Sequence, residues 1–148
     1  MNIDEIMSEW KTDSEIDVTE LADESIKIAK LHQKYYEYLI KEKLLFKKTE
    51  SDLKILKLEK YEFYTQGHNE ETLKKGWELP SKGMVIKSEI PMYLDGDKDI
   101  ININLKMSYQ QEKIDLLQSI IKSLNNRGFN IKSAIDWIKF TSGVWWKL

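Results

Sequence analysis

Residues 54 to 67, KILKLEKYEFYTQG, carry three lysines and three aromatic rings within one short stretch. On a helix advancing about 100° per residue, Lys54, Lys57, Tyr61 and Tyr64 share an arc of about 80°. Lys47 joins the edge of that arc and Lys60 lies just beyond it, while Asp52, Glu59 and Glu62 point elsewhere. The combination suits single-stranded nucleic acid, because ammonium groups track phosphates and aromatic faces stack bases at about 1–3 kcal/mol each. The same pattern also fits a long helix with lysines on its solvated face and tyrosines packed at the edge of its seam. The residues alone leave both readings open.

Other candidate chemistry is thinner. The run DGDKD supplies Asp95, Asp97 and Asp99, but a calcium loop starting at Asp95 needs glycine at its sixth position and glutamate at its twelfth. Ile100 and Lys106 stand there instead, so these acids read as the N-terminal cap of a helix. His32 falls on an apolar seam and His68 in a loop, neither with a second ligand at metal spacing. With no cysteine, thiolate metal sites, disulfides and cysteine nucleophiles drop out together. A phosphate-binding glycine loop and a nucleophile elbow are both missing. The expectation is a binding protein, not an enzyme, with no cofactor and no metal.

Long helices must position the lysine stripe. From Leu21 to Thr65 neither glycine nor proline interrupts the chain. Positions 21, 28, 35, 39, 46, 53, 56 and 63 are Leu, Ile, Tyr, Leu, Phe, Leu, Leu and Phe, a 3–4 spaced seam with polar interruptions. Asp17 and Glu20 are spaced as a capping box, with Ile16 and Leu21 as its staple, which predicts a helix over 17–65. At 1.5 Å per residue it would run about 70 Å and needs another long helix beside it. A second seam follows DGDKD: Ile100, Ile103, Met107, Gln110, Ile114, Leu117, Ile121 and Leu124. It predicts a helix over 98–126, closed by Arg127 and Gly128 with glycine in the left-handed C-terminal position. A short helix over 131–141 comes next. Residues 66–97 hold four of the six glycines and both prolines and read as an irregular insertion, with a helical turn at NEETLKK and an extended piece at MVIKSEI. The expected fold is all-α: an acidic N-terminal arm over 1–16, then one helical domain over 17–148 built on a helical hairpin. Two apolar seams on so small a chain imply self-association, with Ile103, Met107, Ile114, Leu117, Ile121, Leu124 and Trp137 as the expected contacts between copies.

The 148 residues suffice for one sizeable core. The N-terminus lacks a basic region followed by an apolar run, and no apolar stretch approaches the roughly 20 residues of a membrane span. A soluble, intracellular protein is expected. The net charge of −2 hides a gradient: residues 1–26 hold nine acids against one lysine, and residues 27–60 ten lysines against five acids. That segregation exceeds what helix dipoles ask for and points to partners of opposite sign.

Four stretches are familiar as a set: IDVTELADES, EKYEFYTQG, LDGDKDIININLK and IIKSLNNRGFNIKSAIDWIKF. With them the chain resembles the UvsY recombination mediators of tailed phages, from about residue 16 to residue 143. The resemblance implies a non-enzymatic mediator that loads a RecA-like recombinase onto single-stranded DNA and weakens the grip of the phage single-strand-binding protein. It implies a ring-forming homo-oligomer, a hexamer or heptamer, acting in the host-cell cytoplasm during infection. A Leu-Lys-Ala-Arg motif near the end of the family's first helix contributes to DNA binding. Its arginine falls on Lys60, its lysine on Leu58, and Lys57 lies one residue earlier. The nucleic-acid-binding candidates are therefore Lys47, Lys54, Lys57, Lys60, Tyr61 and Tyr64.

Two other functions compete. A coiled-coil scaffold or assembly chaperone that ignores nucleic acid is suggested by the acidic segment and by Trp145 and Trp146. A small metal-dependent nuclease using the loop acids is the weaker rival.

Overall fold

The computed structural model describes residues 1–143, so Trp145 and Trp146 lie outside the described residues. Within that range the chain is all-α: α1 (Ile3–Asp13), α2 (Leu21–Gln66), α3 (Glu70–Lys74), α4 (Ile90–Asp95) and α5 (Lys98–Thr141), with a 3-10 turn at Lys87–Glu89. The two long helices, of 46 and 44 residues, form the expected helical hairpin. The chain divides into two compact units: Met1–Lys43 with the residues from Glu112 on, and Leu44–Gln111.

In the first unit, the segment expected as an acidic arm is a helix. Asn2 accepts from the Glu5 amide at 2.8 Å while the Glu5 carboxylate takes the Asn2 amide at 3.1 Å, closing a capping box. Ile6 is fully buried, and the Trp10 ring meets Tyr35 edge-on at 5.5 Å. The acids of α1 are partly consumed inside the unit. Asp13 binds Lys34 at 2.7 Å and the Tyr35 hydroxyl at 2.6 Å, and Glu9 binds Lys34 at 3.2 Å and the Tyr38 hydroxyl at 3.0 Å. Burial pushes the Asp13 carboxyl up, but Lys34 and Tyr35 outweigh it and hold it below the ordinary carboxylate range. Arg127 of α5 closes the other end of α1: its Nη2 donates to the carbonyls of Ser14 at 2.6 Å and Asp13 at 3.0 Å. A cation there answers both the unpaired carbonyls and the negative end of the helix dipole.

Two boundaries correct the sequence reading. The Asp17 carboxylate is taken by the amide and hydroxyl of Thr19, at 2.9 and 2.6 Å, so it makes a local turn and α2 begins only at Leu21. Gly128 does not end a helix; α5 passes through it, and the separate helix over 131–141 is the continuation of α5. Gly128 has no positive φ, and the 3–4 spaced series Leu117, Ile120, Leu124, Arg127 and Ile131 stays buried across it. Packing on both sides exceeds the roughly 1 kcal/mol that glycine costs a helix interior. Glu42 and Lys113, both buried, pair α2 with α5 at 2.9 Å.

In the second unit, the insertion wraps its own small core. Phe63, Tyr64, Val85 and Ile90 are buried, with Trp77, Leu79, Tyr93 and Leu94 packed against them. Gly67, at φ 87°, ends α2 and donates its amide to the Phe63 carbonyl at 2.9 Å. The expected turn at NEETLKK is α3, capped by Asn69. The extended piece at MVIKSEI contributes one long-range backbone bond, Val85 N–H to the Tyr64 carbonyl at 2.7 Å, then coils into the 3-10 turn and α4, which sequence reading took as irregular.

Candidate nucleic-acid interface

All six residues expected to face a strand lie on the part of α2 within the second unit. They do not share one surface. Lys47, Lys54, Lys57 and Tyr61 are exposed, with Tyr61 37% accessible and Lys54 held only by a 3.9 Å pairing to Glu50 one turn back. Ile55 and Leu58 are exposed between and beside them. A cationic strip with apolar ground and one aromatic face offers charge to phosphates and flat surface to bases.

Lys60 and Tyr64 correct the expectation. Lys60 is 3% and Tyr64 7% accessible. The Lys60 ammonium sits 2.8 Å from Asp99 and 3.2 Å from Asp97, and 3.8 Å from the centroid of the Trp77 ring. The Tyr64 hydroxyl donates to Asp97 at 2.6 Å. Asp97 turns its other oxygen to the start of α5, accepting from the amides of Asp99 at 2.9 Å and Ile100 at 3.1 Å. This is the N-cap that DGDKD promised, and one carboxylate thereby joins the end of α2 to the start of α5. Burial pushes the Asp97 carboxyl up; Tyr64, the Ile100 amide and Lys60 outweigh it and hold it below the ordinary range. Burial and the Asp97 charge together push the Tyr64 phenol well above its usual value. The physical reason for the miss is the cover at the end of α2: Lys60 lies beyond the arc and Tyr64 at its edge, where the cap of α5 and the insertion fold over both.

Sequence reasoning also passed over two residues of the insertion. Lys75 reaches Glu59 at 3.5 Å and stands 4.9 Å from the Trp77 centroid, and the Trp77 ring meets Phe63 edge-on at 5.4 Å. A lysine two residues before a tryptophan in a glycine-containing loop was the available signal.

The residues expected between copies divide as well. Ile114, Leu117 and Leu124 are buried within the single chain, Leu117 and Leu124 completely, so they fill its own interior. Ile103, Met107 and Ile121 are half-buried. Trp137 is 65% accessible and stacks on Phe140 at 5.9 Å. His32 is half-buried and stacks on Tyr36 at 5.9 Å; His68 packs its edge on Phe63 at 5.0 Å. No group of acids and histidines among the described residues is arranged to hold a metal ion. No helix among them is long and apolar enough to cross a membrane.

Fold and site define an all-α helical-hairpin protein with an exposed cationic strip along one long helix. The chain belongs to the UvsY family, described as recombination, repair and ssDNA binding protein UvsY, whose sequence model matches residues 9–144. It is 25% identical over 146 residues to the recombination protein uvsY of Enterobacteria phage T4, covering 97% of this chain and 99% of that protein. Crystal structures of the bacteriophage T4 recombination mediator protein UvsY share the fold. One superposes with a TM-score of 0.79 at 25% identity over 97% of this chain and 99% of that one. Another gives 0.80 at 23% identity over 93% and 98%. The family is one of binding proteins and not a known enzyme class.

Proposed function

We propose that the chain is a recombination mediator: it binds single-stranded DNA, loads a RecA-like recombinase onto it, and weakens the hold of the phage single-strand-binding protein. The observation that carries the reading is the exposed strip of Lys47, Lys54, Lys57 and Tyr61 on α2, in a chain whose family is described by single-strand binding. A few phosphate contacts per chain bind weakly at physiological salt. Six or seven copies on a ring convert the later contacts into intramolecular ones and raise avidity by effective concentration. Exposed apolar side chains away from the strip support such assembly: Leu105 and Trp137 on α5. The acids left outside α1's internal pairs, Asp4, Glu15, Glu20 and Asp23, are exposed and suit contact with a basic patch on the recombinase or the single-strand-binding protein. The working place is the host-cell cytoplasm during infection.

The test is recombinase filament assembly on a strand already coated with the single-strand-binding protein, followed by ATP hydrolysis. The protein should shorten the lag. An unchanged lag, with the strand still bound, would leave a binding protein that is not a mediator. Failure to retain any single-stranded oligonucleotide at low salt would favour a protein scaffold.

A further inference from the structure

Lys60 stands next to the exposed strip along α2, yet its ammonium is withdrawn. It is 3% accessible, lies between Asp97 and Asp99, and has the Trp77 ring 3.8 Å away. A phosphate reaching it would have to displace a carboxylate and the indole together. The two acids are unequal: the Asp97 side chain is 5% accessible and tied to Tyr64 and the α5 amides, while the Asp99 side chain is 50% accessible. Half-exposed Asp99 is therefore a negative charge presented to solvent at the end of the same α2 segment that carries Lys57 and Tyr61. Lys60 is bonded directly to it at 2.8 Å.

From this geometry we infer that Lys60 serves strand binding as a positioning and charge-masking residue: it offsets one of the two charges of Asp97 and Asp99 and holds both side chains in place, and makes no phosphate contact itself. The inference rests on the single-strand-binding reading above and deepens it. Removing the ammonium would uncover two acids beside the strip. The change makes the local charge one unit more negative; at about 8 Å from a phosphate in a water-like dielectric, that would weaken binding by a factor of about two to three. The number of phosphates neutralised would stay the same.

The experiment measures affinity for a labelled poly-dT strand over a series of salt concentrations, for wild type, K60M, K60M/D97N/D99N and, as a true contact for comparison, K57A. K60M should bind about two- to threefold more weakly at low salt with the log–log salt slope unchanged. The triple variant, one unit less negative there than wild type, should bind at least as tightly as wild type, because the acids that needed masking are gone. K57A should flatten the slope by about 0.7, one single-strand phosphate contact. A K60M slope flattened like that of K57A, or a triple variant as weak as K60M, would overturn the inference. So would K60M binding as tightly as wild type, which would leave Lys60 with a purely structural part. Should K60M fail to fold, D99N decides: Asp99 is half exposed, and its neutralisation should leave the slope unchanged. A slope steepened by about 0.7 would mean the released Lys60 reaches a phosphate, against the inference. A wild-type protein that bound no strand would instead sink the functional reading, so the two failures are distinguishable.

Discussion

Asp97→Ala should destabilise the second unit more than any other single change in its insertion. The side chain does three things. One oxygen caps α5 through the amides of Asp99 and Ile100. The other accepts a hydrogen bond from the buried Tyr64 hydroxyl at 2.6 Å and lies 3.2 Å from the buried Lys60 ammonium. Loss of the cap costs about 1 kcal/mol. A buried hydroxyl left without its acceptor costs about 1–3 kcal/mol. Lys60 keeps Asp99, so its share is smaller, and the sum is about 3–4 kcal/mol. For a chain of this size each kcal/mol moves the midpoint by roughly 2–4 °C, which gives a fall of about 10 °C. The assay is thermal melting by far-ultraviolet circular dichroism at fixed protein concentration, with Asp97→Asn beside it. Asparagine retains a capping oxygen and should cost less than half as much. A loss under 1 kcal/mol for Asp97→Ala, or equal losses for both variants, would refute the account of this carboxylate as a three-way junction.

Further outcomes follow from the same contacts. Arg127→Met removes the charged donor that closes α1; it should cost about 2–3 kcal/mol and strip hydrogen-exchange protection from α1 amides. Unchanged protection there would contradict the assigned role. Leu117→Asp buries a charge at a fully enclosed position and should abolish cooperative melting of the chain; a well-folded variant that merely dissociated would return Leu117 to an interface between copies. Asp13 and Asp97 are both held below the ordinary carboxylate range. Their folded forms bind protons less readily than the unfolded chain does, so their contribution is present above about pH 4 and lost as pH falls through the depressed values. The melting temperature should drop below about pH 4, and less so in Asp97→Asn; a level melting temperature down to pH 2 would contradict this.

Much of this was legible in the residues. The uninterrupted run from Leu21 to Thr65 and the seam beginning at Ile100 gave both long helices, and DGDKD gave the cap at Asp97. Local signals failed where a nearer or larger interaction competed. Asp17 turns to Thr19, two residues on, so the helix starts later. Gly128 looks like a stop, but the buried Arg127 and Ile131 carry α5 through it. The helix α1 was hidden by its acids, although Asn2 with Glu5 wrote a capping box and Ile3, Ile6 and Trp10 its apolar face. In the candidate site, periodicity placed Lys47, Lys54, Lys57 and Tyr61 on an open face, yet it could not show that the cap of α5 and the insertion fold over Lys60 and Tyr64. That burial depends on partners 33 and 39 residues away in sequence, which no local pattern encodes.

The most direct test of strand binding along α2 is fluorescence anisotropy of labelled poly-dT titrated with wild type and K54A/K57A at several salt concentrations. Both lysines are exposed, so the change should leave the fold intact and reduce the log–log salt slope by about 1.4 per protomer engaged. A double variant with the wild-type slope and affinity would show that the strip is only the solvated face of a helix.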